Sequence, residues 1–70
     1  MIKFDMDAFL FDNEILLTEL SRLISIDKGT LSRIKDRGTI KPSFLKHLRK
    51  FKFKYSPDVY CRDKKWHPKN

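Results

Sequence analysis

In the stretch LTELSRLISIDKGTLSRI, from Leu17 to Ile34, apolar residues stand at positions 17, 20, 24, 26, 31 and 34. The spacing holds one apolar face for two turns, breaks, and then resumes. That is the pattern of two short helices joined by a tight turn, a helix-turn-helix. Each part of it has a steric reason. Two helices that cross closely need a small side chain at the contact, and Ser21 follows Leu20. The turn needs a residue that tolerates a left-handed backbone; Ser25 stands where glycine fits most easily, at a modest conformational cost. Ile26 plugs the core from the turn, and Leu31 with Ile34 anchor the second helix beneath it.

Further helices flank this unit. A first helix is expected over about residues 5–12, with Met6, Phe9 and Leu10 at i, i+3, i+4. Asp5 suits its N-cap, Asp7 suits the positive end of its dipole, and Phe11 falls beside the apolar face. The next spans about 16–23, with Leu16, Leu20, Leu23 and Ile24 as its buried stripe. The third begins after Ile26 with Asp27 as cap and ends near Arg37, where Gly38 serves as the terminating glycine. Pro42 opens a fourth helix, and Phe44, Leu45, Leu48 and Phe51 carry it to about residue 52. A last short helix runs from Ser56 to about Cys61, with Val59 and Tyr60 pointing inward. FKFKY at 51–55 alternates like an edge strand, but Ser56-Pro57-Asp58 restarts a helix at once, so a helix end followed by a loop is preferred. The expected organisation is one domain over 1–61 and a basic, flexible tail over 62–70, RDKKWHPKN, which lacks a core pattern.

Seventy residues hold a single small core and exclude the large α/β enzyme folds. Charge is unevenly spread. Residues 1–26 hold two bases and five acids, net −3, while residues 27–70 hold fourteen bases and four acids, net +10. A basic surface of this density attracts phosphate backbones through counterion release, which ranks nucleic acid above a merely solvated surface. A single cysteine, Cys61, allows no internal disulfide and reads as a core-edge thiol. His47 has no second ligand at i+3 or i+4 and reads as a surface or boundary residue, so neither metal nor cofactor is expected. There is no catalytic triad or glycine-rich phosphate loop, so no enzyme is expected. The opening MIKFDMDAFLFDNE is apolar and acidic, unlike a signal peptide, and no run reaches membrane-spanning length. A cytoplasmic domain without membrane attachment is the expectation.

The segment LSRLISIDKGTLSRIKDRG combines a leucine and small-residue opening, a turn, a serine/threonine-rich helix start and a trailing glycine. KPSFLKHLRKF and YSPDVY follow it in order. With these, from about Leu10 to Tyr60, the chain resembles the phage repressor and Cro-like (XRE-type) helix-turn-helix family. The resemblance implies an all-α fold, a small lambda-repressor-like bundle of about five short helices. It also implies a recognition helix at about 28–36 lying in the major groove of double-stranded DNA. Lys28, Gly29, Ser32 and Arg33 would then face the bases, with Lys28 and Arg33 suited to guanine N7 and O6. Arg37, Thr39, Lys41 and Ser43 would touch phosphate. Asp27 and Asp36 are outward on the same helix, and Thr30 packs on the scaffold.

The chain departs from that family's pattern in three ways. Where it commonly has Ser/Thr and then a phosphate-binding Gln, this chain has Leu16 and Leu17. Gly29 offers no side chain for base reading. Ser25 replaces the turn glycine. Leu17 either packs on the first helix or joins Phe11 in an exposed apolar patch. Two functions follow as expectations. One is a Cro-like, sequence-specific transcriptional regulator of phage or mobile-element origin, a homodimer on two half-sites. The other is an antirepressor, as the phage modulator-of-repression proteins exemplify, which would bind a phage repressor protein through Phe11, Leu16, Leu17, Asp27, Lys28 and Asp36.

Overall fold

The computed structural model describes residues 1–61. The elements run β1 (Ile2–Lys3), α1 (Met6–Asp12), α2 (Leu17–Ile24), α3 (Lys28–Arg37), β2 (Thr39–Ile40), α4 (Pro42–Leu48) and a 3-10 helix (Pro57–Tyr60). The expected tail, 62–70, lies outside the described residues.

The helices are seven to ten residues long, too short to persist alone in water. Their ends are fixed by local chemistry. Asp5 Oδ1 accepts from the Ala8 amide at 3.0 Å and starts α1. At α2, Leu16 offers no side-chain cap, but Glu19 Oε1 accepts from the Leu16 amide at 2.8 Å. Asp27 Oδ2 accepts from the Gly29 and Thr30 amides at 2.9 and 3.3 Å and starts α3. Gly38, at φ 72°, ends α3 with its amide on the Ile34 carbonyl at 2.8 Å. Pro42 occupies the first turn of α4.

Phe4, Met6, Phe9, Leu20, Ile24, Leu31, Ile40, Leu45, Leu48, Tyr60 and Cys61 form the buried core. Phe9 is its aromatic centre, with ring centroids at 5.6 Å from Phe4, 4.9 Å from Phe53 and 5.5 Å from Tyr60. Each fully buried large side chain contributes about 1.5–3 kcal/mol of transfer free energy. This burial, rather than helix propensity, holds the short elements in place.

The fold is mostly helical but not purely so. β1 and β2 pair antiparallel, with Ile2 opposite Ile40 and Lys3 opposite Thr39. A bridge joins Phe4 to Cys61. The Phe4 amide donates to the Gly38 carbonyl at 2.8 Å, and the Asp5 amide to the Tyr60 carbonyl at 3.0 Å. The N-terminal segment thus links β2 to the end of the 3-10 helix. An all-α reading misses this because a two-residue strand carries almost no periodic signal.

Four local expectations are corrected. Leu16 and Leu23, expected in the buried stripe of α2, are 65% and 48% exposed. Leu16 is extended at the N-cap, so helical spacing does not reach it, and the inward stripe is Leu17, Leu20 and Ile24. α4 ends at Leu48 rather than near residue 52. Beyond it, Phe51 and Phe53 alternate inward along a loop that forms neither helix nor strand. Val59, expected inward, is exposed. The last helix has three residues per turn, so Pro57 and Tyr60 share its inner face instead.

Candidate nucleic-acid interface

The platform for the candidate surface is the turn between α2 and α3. Ser25 closes α2 in the left-handed region, at φ 58° and ψ 42°. The Ser21 hydroxyl donates to the Ile26 carbonyl at 2.6 Å, and the Ile26 amide donates to the Ser21 carbonyl at 3.1 Å. One small residue therefore permits the close approach and also ties the turn to α2. From α4, His47 Nε2 lies 2.8 Å from the Ile24 carbonyl. As the N–H donor, this ring satisfies an end carbonyl of α2 and locks α4 to the same turn. Beneath α3, Leu31 is buried and Ile34 is half-buried against the core.

On this platform Lys28, Gly29, Ser32, Arg33 and Asp36 are exposed, while Thr30 is half-buried. Gly29, Ser32, Arg33 and Asp36 follow the i, i+3, i+4, i+7 rule and share one stripe of the helix. Arg37, Lys41 and Ser43 are exposed, and Thr39 is half-buried in β2. Arg33, Arg37, Thr39 and Lys41 line a single cleft of about 280 Å³. Its remaining walls are Thr30, Ile34, Ile40, Phe44 and Met1. Three cations thus rim an apolar floor between α3, β2 and α4. Guanidinium forks there can bind phosphate oxygens in pairs, or the two acceptors of a guanine edge. Lys28, Ser32 and Ser43 lie outside that cleft.

Several residues have other duties. Asp27 is committed to capping α3. A Cβ added at Gly29 would sit 2.8 Å from Asp27 Oδ2, so the glycine leaves room for that cap rather than reading a ligand. Lys35 turns away from the cleft to Asp7 of α1, at 3.7 Å. Helical spacing puts Thr30 on one face of α3 with Arg33, Ile34 and Arg37, but does not reveal the contributions of Phe44 and Met1. Met1 adjoins β1, which pairs with β2, and the only trace of that pairing in sequence is the short alternation Ile2-Lys3-Phe4.

Phe11 and Leu17 do not line one cleft. Leu17 is half-buried against the core, as a core-packing leucine would be. Phe11 instead lines a different cleft, of about 590 Å³, with Asp12, Glu14, Tyr55, Val59 and Tyr60. The clearest charge coupling is also remote from α3. Arg49 donates from Nε to both Asp58 carboxylate oxygens at 3.2 Å. This hydrogen bond holds the Asp58 carboxyl below its ordinary value, with partial burial opposing and Ser56 assisting.

Among the described residues, no cluster of three or more His, Cys, Asp or Glu could hold a metal ion, and no helix is long and apolar enough to cross a membrane. Comparison with protein-family models, curated proteins and solved structures gives no match.

Proposed function

We propose that this chain is a small sequence-specific DNA-binding regulator of the repressor or Cro kind. In this reading α2 and α3 are a helix-turn-helix within a lambda-repressor-like set of helices, and α3 enters the major groove. The observation that carries it is the convergence of Arg33, Arg37, Thr39 and Lys41 on one cleft beside the exposed stripe of a capped helix. Arg33 and Lys28 read guanine edges, with Ser32 as an adaptable polar contact. Arg37, Thr39, Lys41 and Ser43 hold the phosphates and set the register. The chain acts by binding, without catalysis or a cofactor. Two copies on two half-sites supply the contact area that one small domain lacks.

The test is fluorescence anisotropy on operator DNA, taken from the sequence flanking the gene, as salt is raised. Roughly three to five phosphate contacts give a log–log slope of about −3 to −5. Arg33→Ala lowers specific binding by about 1–3 kcal/mol and spares nonspecific binding. Lys41→Gln weakens both equally. Absence of binding at low salt, or a salt-independent affinity, rejects the reading.

One observation favours a second function. Leu16 is exposed at the start of α2, where a phosphate-binding side chain would be useful to a DNA reader. An apolar group there suits docking onto the DNA-reading domain of a partner repressor, which is the antirepressor role. Leu16→Asp discriminates, because aspartate at an N-cap leaves α2 intact. Loss of binding to a repressor domain, with no DNA affinity in the parent chain, selects the second function.

A further inference from the structure

We infer that the cleft between the end of α1 and the 3-10 helix seats a segment of this same chain, residues 62–70, with Trp66 as the anchor. The inference stands whether or not the chain reads DNA, since no residue that lines this cleft lines the one beside α3. Phe11, Val59 and Tyr55 are 82%, 67% and 46% exposed, and all three line it. Large apolar groups gathered at one place, rather than scattered, mark a docking surface. The cleft volume, about 590 Å³, lies within the range of ligand pockets, so an indole and the stems of its neighbours find room.

The walls are tied to one another before anything docks. The Tyr60 hydroxyl donates to Asp12 at 2.7 Å, and the Tyr55 amide donates to Asn13 Oδ1 at 2.7 Å. Arg49 pairs with Asp58, in the same short helix as Val59. A preformed cleft of this kind lowers the ordering cost of binding.

Charge and reach select the occupant. Asp7 and Asp58 are in ion pairs, Asp5, Glu19 and Asp27 cap helices, and Asp36 lies on α3. Asp12 and Glu14 both line the cleft, and neither is in an ion pair among the described residues. The segment RDKKWHPKN holds four bases, one acid and the chain's only tryptophan. Its indole suits the exposed rings, and its cations suit the two carboxylates. They also suit a tyrosine face, and Lys54 Nζ already lies 5.8 Å from the centre of the Tyr55 ring. The segment begins after Cys61, which bridges Phe4 just before α1, whereas the cleft lies at the other end of that helix. The seven residues of α1 span about 10 Å. The five residues from Cys61 to Trp66 reach at most about 17 Å, enough to double back along α1. Nucleic acid and anionic lipid are repelled by Asp12 and Glu14. A basic segment of another protein meets the same chemistry but competes with one already tethered, whose effective concentration is of millimolar order. An indole contact of about 1 mM affinity then leaves about half of the segments seated. A core pattern in these nine residues is not required, because a single anchor suffices on an open cleft.

Trp66 reports on its own position, being the chain's only tryptophan. Its fluorescence in the full chain is expected to lie to the blue of that of a synthetic peptide of residues 62–70, and to stay there on dilution. Acrylamide quenching is expected to be about half as steep as in the peptide, as the seated population requires. Phe11→Gln and Val59→Gln, at exposed positions, return the emission to that of the peptide, and Glu14→Lys moves it the same way. Leu23→Gln, at an exposed apolar residue outside the cleft, leaves it unchanged. Circular dichroism confirms that each variant keeps the helices of the parent. In NMR spectra of the parent, the Trp66 indole protons show Overhauser contacts to Phe11 and Val59. Emission and quenching equal to those of the peptide overturn the inference. So does a blue shift that survives Phe11→Gln and Val59→Gln, which places the segment elsewhere, for instance along β1. A blue shift that grows with protein concentration also overturns it, because the cleft then takes the segment of a second copy. Loss of DNA binding in α3 variants does not move the Trp66 signal, so the two readings fail separately.

Discussion

Ser21 and Ile26 are bound to each other twice, hydroxyl to carbonyl at 2.6 Å and amide to carbonyl at 3.1 Å, across the turn that aims α3. The hydroxyl bond is partly buried, so removing it leaves the Ile26 carbonyl short of a partner. Ser21→Ala is expected to cost about 1 kcal/mol in urea unfolding. Ser21→Leu overfills the crossing of α2 and α3 and is expected to cost about 1–3 kcal/mol. If Ser21→Leu matches the parent chain in midpoint, the two helices are not in the close contact that this geometry requires.

Ser25 gives a prediction of opposite sign. Its backbone sits at φ 58° and ψ 42°, where a side chain crowds the following carbonyl. Glycine removes that crowding but gains freedom in the unfolded chain, which offsets part of the benefit. The balance favours Ser25→Gly by about 0.5–1 kcal/mol. A rise in melting temperature checks it, and a fall would mean that the serine side chain makes a contact worth more than the strain.

This turn also shows which features were readable in advance. A helix break leaves a strong trace: a small residue at 21, a non-periodic gap at 25, an Asp at 27 and a Gly at 38. All four predicted their local geometry. The outward and inward faces were harder. Leu16 and Leu17 are chemically identical neighbours, and only the starting point of α2 decides which one packs. Val59 was misplaced because a turn of three residues, rather than 3.6, sets the inner face at 57 and 60. The ribbon of β1 with β2 is two residues long, and it pairs Ile2 with Ile40 and Lys3 with Thr39, far beyond any local pattern. Of the candidate site, the exposed positions on α3 were readable from helical spacing. The cleft that unites Arg33 with Thr39 and Lys41 was not, because it depends on how β2 and α4 turn back beside α3.

Asp27 and Gly29 should behave as a coupled pair. Asp27→Ala removes the acceptor for two amides and is expected to cost about 1 kcal/mol. Gly29→Ala alone brings a helix-favouring residue but sets its Cβ against the capping oxygen at 2.8 Å, so the two effects largely cancel. With Asp27 already replaced, the clash is gone and Gly29→Ala becomes stabilising. A double-mutant cycle by denaturant unfolding reads the coupling, expected at about 0.5–1 kcal/mol. Strict additivity would show that the cap rotates aside without loss.

Tyr60 sets the alkaline limit of the fold. Its ring is buried, its hydroxyl donates to Asp12 Oδ2 at 2.7 Å, and its proton is held from the ordinary 10.0 up to about 12, by desolvation first and by Asp12 second. The folded chain keeps a proton that the unfolded chain releases earlier. Its contribution is therefore complete below pH 10 and drains away as the pH climbs through about 12. Thermal melts of the parent chain should lose stability across that interval. Tyr60→Phe keeps the ring against Phe9, starts lower at neutral pH for want of the Asp12 bond, and loses no stability from this group as the pH rises. Tyrosinate absorbance offers an independent check, since the late ionisation step near pH 12 must vanish in Tyr60→Phe. A parent chain that shows no tyrosinate step near pH 12 would contradict the buried, hydrogen-bonded placement of Tyr60.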